Sequence, residues 1–419
     1  SQWFQYHWAA DFSFEPDSDL YGIDVFEHYL TLGREVVDIA FLYDMSGPVS
    51  MYSPGFEASA EIAMDYMNYE QDQYWFNVVG FDSACDGAAA ADAAQDVIDE
   101  GIELVVGPLC SGASMSANAV LSAAGIPHIS PTSSSPALSD STTYPGFFRL
   151  ITSDALQGQA LADAVAGLST PGTNYSDPAI VHMDNSHGVA MADAFEDTWT
   201  AMGNSLCTSV SYDPDTTSDY SSLAQTVVDN GCDSAVLISY EWDGVTLLEE
   251  LSGKGFTGQI FGSDGLSHLT ENDFSDPGAA DGMITTRWSE FTHSSERYDI
   301  FSENCANITE CDSGIYVEET YDAVSIAGEA ALLALAMPSI SLEDSIRYVG
   351  YEWDGASSLI TFNEDGDVAG NGWDVYEHEY HGGNGTLSQW FQYHWAADFS
   401  FEPDSHLYGI DVFEDYLMF

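Results

Sequence analysis

Two uncharged, hydroxyl-rich runs carry the chemistry that this sequence offers: Cys110-Ser111-Gly112, and Thr132-Ser133-Ser134-Ser135 within residues 130–136. Hydroxyls and backbone amides at a strand end or at the start of a helix can hold an anion without a buried cation. The plainer alternative is that the same hydroxyls cap helices and turns. A third feature, Gly262-Ser263-Asp264-Gly265, follows a short apolar run and presents an acid, although Asp before Gly is also ordinary turn chemistry. Catalytic sets do not appear. His182 and His187 are five apart with no Cys or second carboxylate at ligand spacing, and no Gly-x-Ser-x-Gly, phosphate loop or dinucleotide fingerprint occurs. The expectation is therefore a protein that is not an enzyme and has no cofactor or metal centre. Asp17, Asp19 and Asp24, or Asp365 and Asp367, are weak candidates for a surface cation. Asn363-Glu364-Asp365-Gly366-Asp367 departs from the calcium-loop pattern and reads instead as the turn of a hairpin between residues 359–362 and 375–380.

The elements around these runs fix where they lie. Residues 103–106 read as a strand ending at Gly107-Pro108, residues 114–124 as a helix stopped by Gly125, and residues 126–129 as a second strand. Both hydroxyl runs should then sit side by side at the carboxyl ends of neighbouring parallel strands, where open α/β sheets hold ligands. Strand patterns at 36–42 and 76–80 and helix patterns at 54–68 and 88–100 complete one block. A second block follows the sequence Phe147-Phe148-Arg149-Leu150, with helices at 153–168, 189–202 and 245–254 and strands at 179–182, 234–238 and 259–261. Strand-helix alternation in two blocks predicts an α/β protein of two doubly wound lobes with a cleft between them.

Composition narrows the partners. Hydrophobic residues make up 45% of the chain, which argues for a folded core, and the formal net charge of −63 would repel phosphate backbones and anionic lipid. Nucleic acid is excluded as a partner. Such an acidic coat suits high salt or an extracellular face. The six cysteines fall into pairs by spacing, Cys85 with Cys110, Cys207 with Cys232 and Cys305 with Cys311, which points to three disulfides and an oxidising compartment. Sequons at Asn174, Asn307 and Asn384 fit a secreted or cell-surface protein. No leader opens the chain as written, so an exported protein would already have lost it, and the weakly charged run at 327–340 is too short to span a bilayer.

Residues 1–30 return at 388–417 with 28 of 30 positions the same. Each copy carries two Trp, four Phe and three Tyr, more aromatic surface than a free segment leaves wet without cost. Either both copies pack on their own subunit, or they join subunits through Trp3, Phe4 and Trp8 in one and Trp390, Phe391 and Trp395 in the other. Head-to-tail contacts of that kind make a ring or a filament. The two differences between copies, Asp19 against His406 and His28 against Asp415, would pair opposite residues if an N-terminal and a C-terminal copy lay parallel and in register.

Asp44-Met45-Ser46-Gly47-Pro48, Gly107 to Gly112, Gly125-Ile126-Pro127 through Ser130-Pro131, Ser153-Asp154 with Gln157-Gly158, and Gly262 to Leu266 stand in the order seen in the type I periplasmic solute-binding proteins, and the chain from about 36 to 380 resembles their leucine/isoleucine/valine-binding branch. The resemblance implies two Rossmann-like lobes joined by a hinge: residues 34–152 with 287–345, and 153–286 with 346–386, flanked by terminal segments 1–33 and 387–419. It also implies an amino acid-like solute, with an ABC permease as partner. On it, Ser111 and Ser134 would hold the ligand carboxylate with Thr132 supplying a carbonyl, Ser133 being a near alternative to Ser134. Asp264, one methylene shorter than the Glu of that branch, would take the ammonium, and Tyr240 would form a wall. His187 stands where the branch has an aromatic, which makes the pocket more polar. Trp242, Met51 and Tyr52 are candidates for its sides or for plain packing. A structural subunit of an extracellular filament or surface layer, built from the same fold, is the alternative.

Overall fold

The computed structural model describes residues 34–167, 175–214, 216–289, 295–312, 314–370, 372–382 and 385–395. Trp3, Phe4, Trp8, Asp19, His28, His406 and Asp415 lie outside them, as do Asp17, Asp24, Asn174 and Asn384.

The first sheet is all parallel, in the order β2-β1-β3-β4-β5, with β1 Glu35–Tyr43, β2 Tyr74–Asp82, β3 Leu104–Val106, β4 His128–Ser130 and β5 Phe147–Arg149. Alternation along β1 explains its two faces. Ile39, Phe41 and Tyr43 enter one core with Phe56 of helix α1 (Ser53–Glu70), while Ala40 and Leu42 enter the other with Ala90 and Ala94 of α2 (Gly87–Glu100) and Ala117 and Leu121 of α3 (Ser111–Leu121). Helix α2 is cut to length by its ends: Asp86 accepts hydrogen bonds from the amides of Ala88 and Ala89, and Gly101 ends it in the left-handed conformation.

The second sheet follows the same logic in the order β14-β13-β10-β9-β8-β6-β7, with β13 Trp373–His381 and β14 Thr386–Trp395 at one end. Its parallel part is β6 Pro178–Met183, β7 Thr208–Tyr212, β8 Ser234–Ile238, β9 Gln259–Gly262 and β10 Ile284–Trp288. Helices α4 (Asp154–Val165) and α5 (Ser186–Ala201) cover one face, and α6 (Ser221–Asn230) and α7 (Glu241–Gly253) cover the other. The expectation of an α/β protein with two wound lobes is met.

Three expectations change. The return to the second lobe does not come at residue 346: Ile346 and Val349 of α11 (Leu342–Val349), with Trp353, Ile360, Phe362 and Val368, are buried in the first core. They pack there against α10 (Val317–Ala336), which follows α8 (Glu296–Cys305) and α9 (Thr309–Asp312) and is a helix that the sequence reading did not draw. Nor does the first crossing come back at 287, because β10 runs through Trp288 and pairs with β9 and with β13 (Trp373–His381). The expected hairpin between 359–362 and 375–380 is absent. Instead β12 (Leu359–Ile360) pairs with β11 (Trp353–Asp354), and β13 pairs with β14 (Thr386–Trp395). The cause is the turn between them, which an ion pair from Asp367 to Arg149 ties to the first lobe.

The first eight residues of the C-terminal copy are thus part of their own subunit. β14 forms one edge of the second sheet, with Trp390 opposite Glu377, Phe391 opposite Tyr376 and Trp395 opposite Trp373, and the Gln389 side chain donates to the Ser267 carbonyl.

Candidate ligand-binding site

Both hydroxyl runs lie where expected, at the ends of the adjacent parallel strands β3 and β4. Ser111 is the first residue of α3, and its Oγ accepts from the Ser135 amide at 3.1 Å, which leaves its own proton free to donate. Around it the carbonyls after β3 are spoken for. Pro108 O accepts from the hydroxyls of Ser114 (3.0 Å) and Ser130 (2.6 Å), and Leu109 O accepts from those of Thr132 (2.6 Å) and Ser133 (3.1 Å). Ser133 is fully buried in that web, 2.8 Å from the Ser114 hydroxyl, while Ser134 lines the cavity.

Behind this loop sits Arg149, the last residue of β5, fully buried. Its guanidinium donates to the carbonyls of Ser133 (3.4 Å) and Ser135 (3.0 Å), to Ser139 Oγ (2.6 Å) and to Asp367 Oδ1 (2.6 Å). A buried cation thus holds the backbone on either side of Ser134, whose own side chain lines the cavity.

From the second lobe come His187, Tyr240 and Asp264. His187 is the second residue of α5, whose N-cap Asn185 accepts from the Gly188 amide. Its Nδ1 lies 2.9 Å from Asp154 Oδ2 and 3.4 Å from Ser134 Oγ. Burial alone would push the imidazole pKa down, but the charge and hydrogen bond of Asp154, with the charge of Asp264, outweigh it and raise it to about 9. The Tyr240 ring lies parallel to it, 6.2 Å between centroids. Asp264 Oδ2 accepts from the Tyr316 hydroxyl at 2.8 Å; Oδ1 is buried with no partner among the described residues.

These residues converge. Ser111, Thr132, Ser134, His187, Tyr240 and Asp264 all line one cavity of about 120 Å³ between the lobes. Tyr52 lines it too, whereas Met51 and Trp242 are exposed and do not. The sequence reading missed Tyr316, Glu241 and the role of Asp154. Burial lifts the Glu241 carboxyl, against the pull of its hydrogen bond from Tyr52. Contacts of Ser134 with His187, Tyr316 with Asp264 and Tyr52 with Glu241 join the lobes across the gap. At Gly112 the lobes come so close that a Cβ would lie 3.1 Å from Ser186 Oγ. A larger cavity of about 310 Å³ adjoins the first and shares Asp264, Gly265, Ile315 and Tyr316 with it. It is not where the hydroxyl loops point.

The three disulfides pair as the spacing suggested, and Cys110, joined to Cys85, is also the residue that precedes α3. Asp44 lies beside Cys85 and Cys110, the one group of metal-type ligands among the described residues, but both sulfurs are already spent on each other. The cation candidates Asp365 and Asp367 are engaged by Ser141 and Arg149. No helix among the described residues is long and apolar enough to cross a membrane.

Comparison with known proteins adds the rest. A family model described as periplasmic binding protein matches residues 36–366. A Leu/Ile/Val-binding protein of Rhizobium johnstonii is 25% identical over 355 residues, 84% of this chain and 94% of that protein. The leucine-specific-binding protein of Salmonella typhimurium is 25% identical over 351 residues, 81% of this chain and 90% of its own length. Among solved structures, a leucine-binding protein of Thermotoga maritima matches with a TM-score of 0.73 at 20% identity, over 86% of this chain and 99% of that one. A solute-binding protein of Rhodopseudomonas palustris in complex with 3,4-dihydroxybenzoic acid matches with a TM-score of 0.70 at 16% identity, over 88% and 98%.

Proposed function

Because the chain belongs to the periplasmic binding protein family, we propose that it is a periplasmic or extracellular solute-binding protein whose lobes close on a small amino-acid zwitterion for delivery to an ABC permease. The observation that carries this is the convergence of Ser111 and Ser134 from one lobe with Asp264 from the other on a single cavity. Hydroxyl donors at the start of α3 suit a carboxylate, and the unpartnered Oδ1 of Asp264 suits an ammonium. Closure by a hinge follows from the crossings between the lobes. The relatives' names supply the solute class: proteins that share this fold over nearly their whole length are named for leucine, isoleucine and valine. Calorimetric titration of the intact chain with the common amino acids tests it. Losing one hydrogen bond to a charged group costs about 1.5–3 kcal/mol, so Ser111→Ala should weaken binding by about tenfold to hundredfold, and Asp264→Ala by more. Unchanged affinity in both, with native circular dichroism, would refute the site.

A second reading concerns the repeated segment, and β14 favours it. This strand closes the second sheet on one side with eight residues, Ser388 to Trp395, that recur letter for letter as Ser1 to Trp8. We infer that the two copies join chains in series, an N-terminal copy of one chain meeting the C-terminal copy of the next; Asp19, His28, His406 and Asp415 lie outside the described residues, and a parallel, in-register pairing would set Asp19 against His406 and His28 against Asp415. Light scattering reads it out, and a chain that stays monomeric at every concentration ends it.

A further inference from the structure

The cavity has an electrostatic problem if hydroxyls alone receive a carboxylate. Glu241 and Asp264 line it, Asp154 stands directly behind His187, and the whole chain carries −63. An anion entering there meets carboxyl groups from three elements in a partly enclosed space, where such repulsion is less screened than in bulk water. His187 is the one basic side chain among those that line it. Its position is costly in itself, because a cation at the second residue of α5 faces the positive end of that helix.

The local geometry accounts for this. Asp154, 1% exposed, accepts a hydrogen bond from Nδ1–H at 2.9 Å, and its charge offsets the helix end. The Tyr240 ring lies parallel to it. Nε2 is then the remaining donor, and it has no protein partner among the described residues although the ring lines the cavity. Ser134 Oγ stands 3.4 Å from the ring, so hydroxyl and imidazole share one end of the space.

We propose that the His187 imidazolium is the charged partner of the ligand's carboxylate, so that the cleft selects solutes with a free carboxylate over their uncharged amides. The proposal rests on the amino-acid reading of this cavity and adds to it the group that discriminates. The raised pKa of the ring, held up by Asp154 against burial, keeps the charge in place at neutral pH. A donor carrying full charge makes a stronger hydrogen bond to a carboxylate than a hydroxyl does, and it gains much less from an amide oxygen.

The test is titration calorimetry of the intact chain with matched pairs: L-leucine and L-leucinamide, L-serine and L-serinamide, glycine and glycinamide. The wild-type chain should bind the acid of a pair at least about tenfold more tightly than its amide. His187→Phe, which keeps a ring in the same place, should bring the two affinities to within about threefold with native circular dichroism, although its melting temperature falls because Asp154 is left buried without its partner. Should that variant fail to fold, His187→Gln, a neutral donor, should lose the preference likewise. An acid preference that survives both substitutions, or a wild-type chain with none, overturns the assignment of His187 and leaves the amino-acid reading standing. If no acid or amide binds the wild-type chain at all, the amino-acid reading falls and this proposal falls with it.

Discussion

At the scale of single residues, Arg149 shows how a site can rest on a group that never meets the ligand. Its guanidinium spans the carbonyls of Ser133 and Ser135, Ser139 Oγ and Asp367, so one side chain fixes the loop that carries Ser134 and anchors the turn at 363–367. Arg149→Met should leave Asp367 and two carbonyls without their donor, and breaking a buried ion pair in this way costs about 3–5 kcal/mol. Urea unfolding should read that loss, with a weaker affinity for the ligand alongside it; a variant as stable as the parent would show that the loop holds itself. Ser111, Ser134 and Asp264 were legible in the sequence because each sits in a short stretch whose own pattern announces a strand end. Tyr316 was not. It reaches Asp264 from 52 residues away along the chain, at the start of a helix, with a φ of 56° that no local motif demands. His187 was legible as a position but not as a cation, because Asp154 on a different helix decides its charge.

Elements were legible where caps and apolar period agreed, as at α2 and β8, and illegible where a neighbour decided them. β7 is a five-residue edge strand whose only large apolar positions are Val210 and Tyr212, and α6 begins among polar residues that read as loop. The stretch 346–368 looked like part of the second lobe because its short strands resemble hairpin arms, yet packing against α10 and the Arg149 tie hold it in the first. β14 carries the largest consequence at this scale. Removing residues 1–33 leaves every described strand of both sheets present, whereas removing 388–419 strips β14 from β13 and uncovers that strand. Both deletions should turn any assembled chain into monomers by light scattering, but only the second should lower the melting temperature. Particles of unchanged size after removal of 1–33 would end the end-to-end reading.

For the whole molecule, charge is the dominant fact. All six Lys and Arg are engaged: Arg34 over Trp75, Arg149 with Asp367, Lys254 with Glu250, Arg287 over Tyr376, Arg297 with Glu329 and Arg347 with Glu343. None is left to balance the remaining acids, so the folded chain repels itself more than its extended form does. Raising salt from about 0.01 to about 1 M shortens the screening length from about 30 to about 3 Å, and the melting temperature should climb with it; a flat response would mean that the acids lie too far apart to matter. One further feature bears on when the molecule can work. The bond between Cys85 and Cys110 ends at the very residue from which α3 and Ser111 start, so the first turn that would grip a solute is tied to the loop after β2 only once those sulfurs have been oxidised. A chain in a reducing compartment lacks that tie, so the start of α3 is pinned to the loop after β2 only where those sulfurs stay oxidised.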